Sequence, residues 1–177
     1  MKIVKAIIAI AVVGVAAYFV SHLLQVRQTA DLNNRAMKLL GENKFAEARD
    51  LLEQARRRDS NNPVIWKNLG VAYEGLKDVP KAIEAYQRSL TLHSAQPEVR
   101  DNLAILKKAV EIEKQSAAKL EAELTNKPND AQVLARVGMA YENLGDNARA
   151  IEMYERSLKA DPNQPDVRQR LEALKKK

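Results

Sequence analysis

The sequence predicts an all-α protein: an amino-terminal single transmembrane helix, then an α-solenoid of about four helix–turn–helix units and a capping helix. Three observations carry this. The composition favours helix over strand. A long apolar run free of acidic residues opens the chain. The remainder repeats itself at a fixed spacing.

Of 177 residues, 46% are hydrophobic and 29% charged, a balance typical of a folded chain. Aromatic residues are few: two Phe, one Trp and five Tyr. Ala, Leu, Glu, Lys and Arg dominate, side chains that lose little rotamer freedom in a helix. The absence of cysteine excludes disulfides, thiolate metal sites and cysteine nucleophiles. The two histidines, His22 and His93, lie far apart and offer no basis for a metal site or catalytic triad. The net charge of +6 sits largely in Arg56-Arg57-Arg58, Lys107-Lys108 and the terminal lysines, with acidic residues interleaved elsewhere. That pattern reads as solvated helix faces, with contact to anionic lipid or an acidic partner as the alternative. No continuous basic face exists, so no nucleic acid partner is expected.

The first element is residues 1–28. Lys2 and Lys5 precede an apolar run from Ala6 to Val20, extended by Leu23 and Leu24. The stretch 3–24 approaches the ~20 residues a helix needs to span a bilayer. Tyr18, His22 and Arg27 suit the far interface. Three readings compete: a retained anchor, a signal peptide cleaved near Val15-Ala16-Ala17, and a buried core helix. Phe19, Val20, Leu23 and Leu24 carry the run past the cleavage site and favour the anchor. The expected location is therefore a bacterial inner membrane, single-pass, with the following domain on the periplasmic side. Between Val15 and Leu40 there is no Gly or Pro, so the anchor is expected to run unbroken into the next helix.

Residues 29–177 carry the repeat. NLGVAYEGLKDVPKAIEAYQRSL from Asn68 matches RVGMAYENLGDNARAIEMYERSL from Arg136, and QPEVRDNLAILKK from Gln96 matches QPDVRQRLEALKK from Gln164. The offset is about 68 residues, twice a period of about 34. Units fall near 29–62, 63–96, 97–130 and 131–164, with a capping helix at 165–177. The second unit reads Trp66-x-x-Leu69-Gly70-x-x-Tyr73, then Ala82-x-x-x-Tyr86; the fourth reads Val137-Gly138-x-x-Tyr141, Ala150-x-x-x-Tyr154, then Pro162. The first keeps Ala48, Leu52 and Ala55, and the third little beyond Leu103, Ala104, Leu120 and Pro128. These residues resemble the tetratricopeptide repeat family, across nearly everything outside the amino-terminal segment.

The small residues Gly70 and Gly138 permit close approach of paired helices, and the four tyrosines fill the gaps. Asp78 and Asp146 suit the cap of the second helix in their units, and Gly145 suits the turn before it. Val167, Leu171 and Leu174 give the last helix one apolar face. The third unit stays open between a helix pair and one continuous helix, because Glu98 to Leu124 contains no Gly or Pro.

The resemblance implies a concave groove lined by the first helix of each unit. Its positions here are Asn33 and Met37; Val64, Lys67, Val71 and Glu74; Asp101, Ile105 and Lys108; and Gln132, Ala135, Met139, Glu142 and Asn143. A mixed surface of this kind suits an extended peptide or a partner helix. Val71 and Asp101 stand where a clamp for carboxy-terminal carboxylates needs polar and basic groups, so chaperone-tail clamping is not expected. The partner calls are thus protein through the groove and membrane through residues 3–24, with no small-molecule substrate. No cofactor, metal or catalytic residue is expected, and no enzymatic role. The expected function is a membrane-anchored scaffold or adaptor in the assembly or maturation of a bacterial envelope complex. The alternative is a permanent structural accessory subunit of a larger membrane complex.

Overall fold

The computed structural model describes the backbone of residues 2–176 and the side-chain surroundings of residues 13–176. Among the described residues the chain forms eight helices: α1 (Lys2–Gly41), α2 (Phe45–Arg58), α3 (Pro63–Gly75), α4 (Val79–Leu92), α5 (Pro97–Asn126), α6 (Ala131–Asn143), α7 (Asn147–Ala160) and α8 (Pro165–Lys175). Pairs α1/α2, α3/α4 and α6/α7 are hairpins in which the second helix packs back on the first.

Turn chemistry fixes where hairpins form. Each of the three hairpins turns through one residue in the left-handed region: Asn43 (φ 58°), Lys77 (φ 60°) and Gly145 (φ 78°). In two of them an aspartate follows and caps the next helix. Asp78 accepts from the Lys81 amide at 3.3 Å, and Asp146 from the Arg149 amide at 3.1 Å. Such a cap is worth about 1 kcal/mol.

One period further along from Lys77 and Asp78, the third unit has Glu111 and Ile112. Isoleucine cannot cap, and no turn forms. Residues Pro97–Asn126 run on as a single helix of 30 residues. The face of α3 that receives α4 carries Gly70 under Tyr86; one period on, α5 carries Ala104 and Leu120 at those positions.

The amino-terminal half of α5 closes what precedes it. Val99, Leu103 and Leu106 are buried against α3 and α4, as Val167, Leu171 and Leu174 of α8 are buried against α6 and α7. The carboxy-terminal half, through Ala117 and Leu120, opens the second block. The molecule thus has two capped blocks. The first joins the end of α1 to α2–α4 and the start of α5. The second joins the end of α5 to α6–α8.

Within each block a tyrosine lies on a glycine. Tyr86 and Tyr154 are fully buried, and a Cβ at Gly70 or Gly138 would run into their rings, at 2.6 Å for Gly138. Their hydroxyls donate to Glu74 (2.9 Å) and Glu142 (2.6 Å).

The expected transmembrane helix is corrected. α1 does run unbroken from Lys2 to Gly41, but among the described residues no helix is long and apolar enough to cross a membrane. The side chains of residues 3–12, the start of the expected anchor, lie outside those described. Within the described residues the apolar run is interrupted by Ser21 and His22, then by Gln25, Arg27 and Gln28. The single-pass inner-membrane location and the periplasmic orientation rested on that helix and are withdrawn with it.

Gly138→Ala should lower stability by about 1–3 kcal/mol, because the buried Tyr154 ring cannot yield. Gly41→Ala, with nothing near its Cβ, should not. Urea unfolding of the two variants checks this; equal midpoints would contradict the packing described.

Candidate functional site

The groove is built on α1, α3 and the first half of α5. Asn62 caps α3, accepting from the Val64 amide at 3.0 Å, and Pro63 follows at the first helical position. The buried Ser89 hydroxyl ties α4 to the start of α3 through the Pro63 carbonyl at 2.8 Å. Gln96 donates to the Ser89 carbonyl at 3.1 Å and sets the entry of α5. Ser157 and Gln164 repeat both contacts in the second block, to the carbonyls of Ala131 (2.7 Å) and Ser157 (3.1 Å).

A cleft of about 210 Å³ results, lined by Met37, Leu40, Lys67, Asn68, Val71, Glu98, Val99 and Asn102. Three of the sequence-derived positions meet there: Met37, Lys67 and Val71. Asn33 stands beside them, its side-chain oxygen accepting from the Asn68 amide at 2.8 Å. Asn68 itself is buried. The cleft therefore offers amide groups along one line, an apolar wall, and Lys67 and Glu98 among its charges.

The other positions are distributed differently. Val64 is exposed, and Asp101, Ile105 and Lys108 lie on the solvated side of α5, outside the cleft. Glu74 and Glu142 serve the fold, accepting from Tyr86 and Tyr154. In the second block Ala135 is buried, Gln132 and Met139 are exposed, and Asn143 donates to Glu113 of α5 at 3.2 Å. That block lacks a first helix equivalent to α1, so its groove rests on α6 and α8 alone.

Sequence reasoning missed Asn68, Asn102 and Glu98. Asn68 and Asn102 are one period apart, and Asn34 precedes them by one more. That spacing was the available signal.

The two well-formed units also share a tyrosine–carboxylate pair between neighbouring helices. Tyr73 donates to Glu53 at 3.0 Å, and Tyr141 donates to Glu121. Burial, followed by the Glu53 charge, pushes the Tyr73 phenol up to about 12. Burial and Glu142 likewise raise Tyr154, and burial and Glu74 raise Tyr86. Arg149 lies over the Tyr141 ring at 4.1 Å, and Arg56 over Trp66 at 5.2 Å.

Paired helices, glycine under tyrosine, and a concave amide-lined cleft define a helical repeat protein of the tetratricopeptide class. Comparison with known proteins agrees: tetratricopeptide repeat family models match residues 33–97 and 131–164. The chain belongs to the tetratricopeptide repeat family, and it is a repeat scaffold for protein–protein interaction. A curated relative is the heat shock protein STI1 of Saccharomyces cerevisiae, 33% identical over 138 residues. That match covers 74% of this chain and only 22% of the relative. Among solved structures, MamA (41-end) from Desulfovibrio magneticus RS-1 is similar at 21% identity, with 83% of each chain covered and a TM-score of 0.45. The first repeat domain of Spaghetti (RPAP3), bound to an HSP90 peptide, is similar at 19% identity, covering 85% of this chain and 92% of that one, with a TM-score of 0.37.

A phenol held above its ordinary value stays protonated in the folded chain while the unfolded chain ionises. Its stabilising contribution is full below about pH 10 and is lost as pH rises toward 12. Tyr73→Phe should therefore flatten the fall of stability with pH in that window. Urea midpoints at pH 8 through 11 check it; an unchanged slope would contradict the Tyr73–Glu53 contact.

Proposed function

We propose that the cleft between α1, α3 and α5 grips an extended segment of a protein partner and recruits it during assembly or maturation of a larger complex. The observation that carries this is the Asn33–Asn68 pair with Asn102 beside Met37, Leu40, Val71 and Val99. Side-chain amides donate and accept at once, which suits the backbone of an extended peptide. The apolar wall supplies the buried area that fixes side chains. Glu98 within the cleft and Asp101 on the same helix disfavour an acidic tail, unlike the HSP90 peptide bound to the RPAP3 domain. The partner segment this cleft suits is neutral and partly apolar.

A second reading is a permanent accessory subunit. It is favoured by the projecting part of α1, where Val13, Tyr18, Phe19, Leu23 and Val26 are all more than half exposed. Burial in a stoichiometric complex would cover that surface.

Val71→Asp should weaken partner retention about tenfold or more, since it puts a charge on the apolar wall. Asp101→Ala, outside the cleft, should leave it unchanged. Quantitative capture of the tagged full chain with mass spectrometry reads both. A partner retained equally by all three proteins would refute the cleft. Retention that survives Val71→Asp but fails on polar replacement of Phe19 and Leu23 would favour the subunit reading.

A further inference from the structure

α1 outruns its partner helix. Leu32 and Ala36 are buried against α2, and Gln25 donates to the Arg58 carbonyl at 3.1 Å, where α2 ends. Towards the amino terminus α1 projects past that point. Eight large apolar side chains from Val13 to Val26 are each more than half exposed there. A contiguous apolar surface of this kind marks an interaction site.

The spacing of the residues gives the shape of what covers them. Ala16, Phe19, Leu23, Val26, Ala30, Asn33 and Met37 follow one another by alternating steps of three and four. That alternation is the seam of a coiled coil. The seam is not the face that α2 covers: all its members are exposed except Asn33, which is half-buried. It leads straight into the peptide cleft, since Met37 lines that cleft and Asn33 accepts from Asn68 at its edge.

The seam also complements itself. Run antiparallel about a centre between Leu23 and Val26, it sets Leu23 against Val26, Phe19 against Ala30 and Ala16 against Asn33. The bulkiest residue meets a small one, as interdigitating layers require. The same register lays the turn Val13–Ala16 of one copy across Asn33 and Met37 of the other. No charged side chain occurs from Ala6 to Val26, so that stretch is neutral and apolar, the chemistry the cleft suits.

We propose that a second copy of this chain covers the projection. The two α1 helices pair antiparallel along the seam, and each closes the mouth of the other's cleft. The contact uses the same surface on both copies, so it stops at two. The closure rests on the peptide reading of the cleft; the pairing rests on the seam.

The test uses the full chain, which has no native cysteine. Phe19→Cys and Ala30→Cys are placed in separate chains, mixed and mildly oxidised. Within one helix the two positions stand about 16 Å apart. A disulfide bridges at most about 7 Å between Cα atoms, so a link between them joins two copies. The mixture should link, and either variant alone should stay mostly unlinked. Light scattering should give the unmodified chain twice its 19.8 kDa, and Leu23→Glu, at an exposed position, should return it to one. The Met37 methyl resonance should differ between the dimer and Leu23→Glu, while that of Met139 in the second block stays still. A monomeric mass, links as frequent in either variant alone, or a dimer indifferent to Leu23→Glu would each overturn the pairing. A still Met37 methyl would overturn the closure. A monomer that loses its partner on Val71→Asp would sink the pairing and leave the peptide cleft standing; a dimer whose partner ignores Val71→Asp would do the reverse.

Discussion

At one of the places where the repeat pattern calls for a turn, none forms: the chain has Glu111-Ile112 instead of a left-handed residue and a capping aspartate. The rest of the architecture depends on that. Continuing the helix satisfies the backbone amides of Val110 to Gln115, which no aspartate is placed to cap. One continuous α5 follows, and with it two blocks rather than a uniform solenoid. The amino-terminal half of α5 caps one block, and its carboxy-terminal half replaces a helix of the other.

This division explains why the groove is unequal. A concave cleft needs first helices side by side. The first block has three, from α1, α3 and α5. The second has α6 and α8 only, since the helix that would stand before α6 has been drawn out into α5. The duplicated serine, glutamine and tyrosine contacts hold each block internally, so the difference between them lies at their edges. Arg136, which stands where Asn68 does in the first block, pairs with Glu123 across the vacant edge at 3.3 Å. Being exposed, that pair adds little stability.

Much of this was legible in the sequence. The glycine–tyrosine pairs, the caps at Asp78 and Asp146, and the apolar face of α8 follow from residue type and spacing. The helix–turn question at 97–126 stayed open because absence of Gly and Pro permits a long helix without requiring it. Glu111-Ile112 differs from Lys77-Asp78 and Gly145-Asp146 in lacking the aspartate, but Asn43-Lys44 turns without one, so the pair alone does not decide it. The amino-terminal run predicts an anchor by its hydropathy over residues 3–24, with Ser21 and His22 as weak interruptions, whereas among the described residues no helix is long and apolar enough to cross a membrane. Groove residues are those that the family resemblance implies. Of these, Met37, Lys67 and Val71 line the cleft, while Val64 on α3 and Ile105 and Lys108 on α5 fall outside it. The resemblance also cannot anticipate Glu74 and Glu142, whose carboxylates are taken by tyrosine hydroxyls.

The continuity of α5 is the central claim, and a distance measures it. The chain has no native cysteine, so Asp101→Cys and Ala122→Cys in one protein accept a single pair of spin labels. At a helical rise of about 1.5 Å per residue, the two backbone positions stand about 31 Å apart in a continuous helix. Pulsed electron paramagnetic resonance should give a single distribution centred near that separation. A population near 10 Å, the spacing of packed antiparallel helices, would contradict the account.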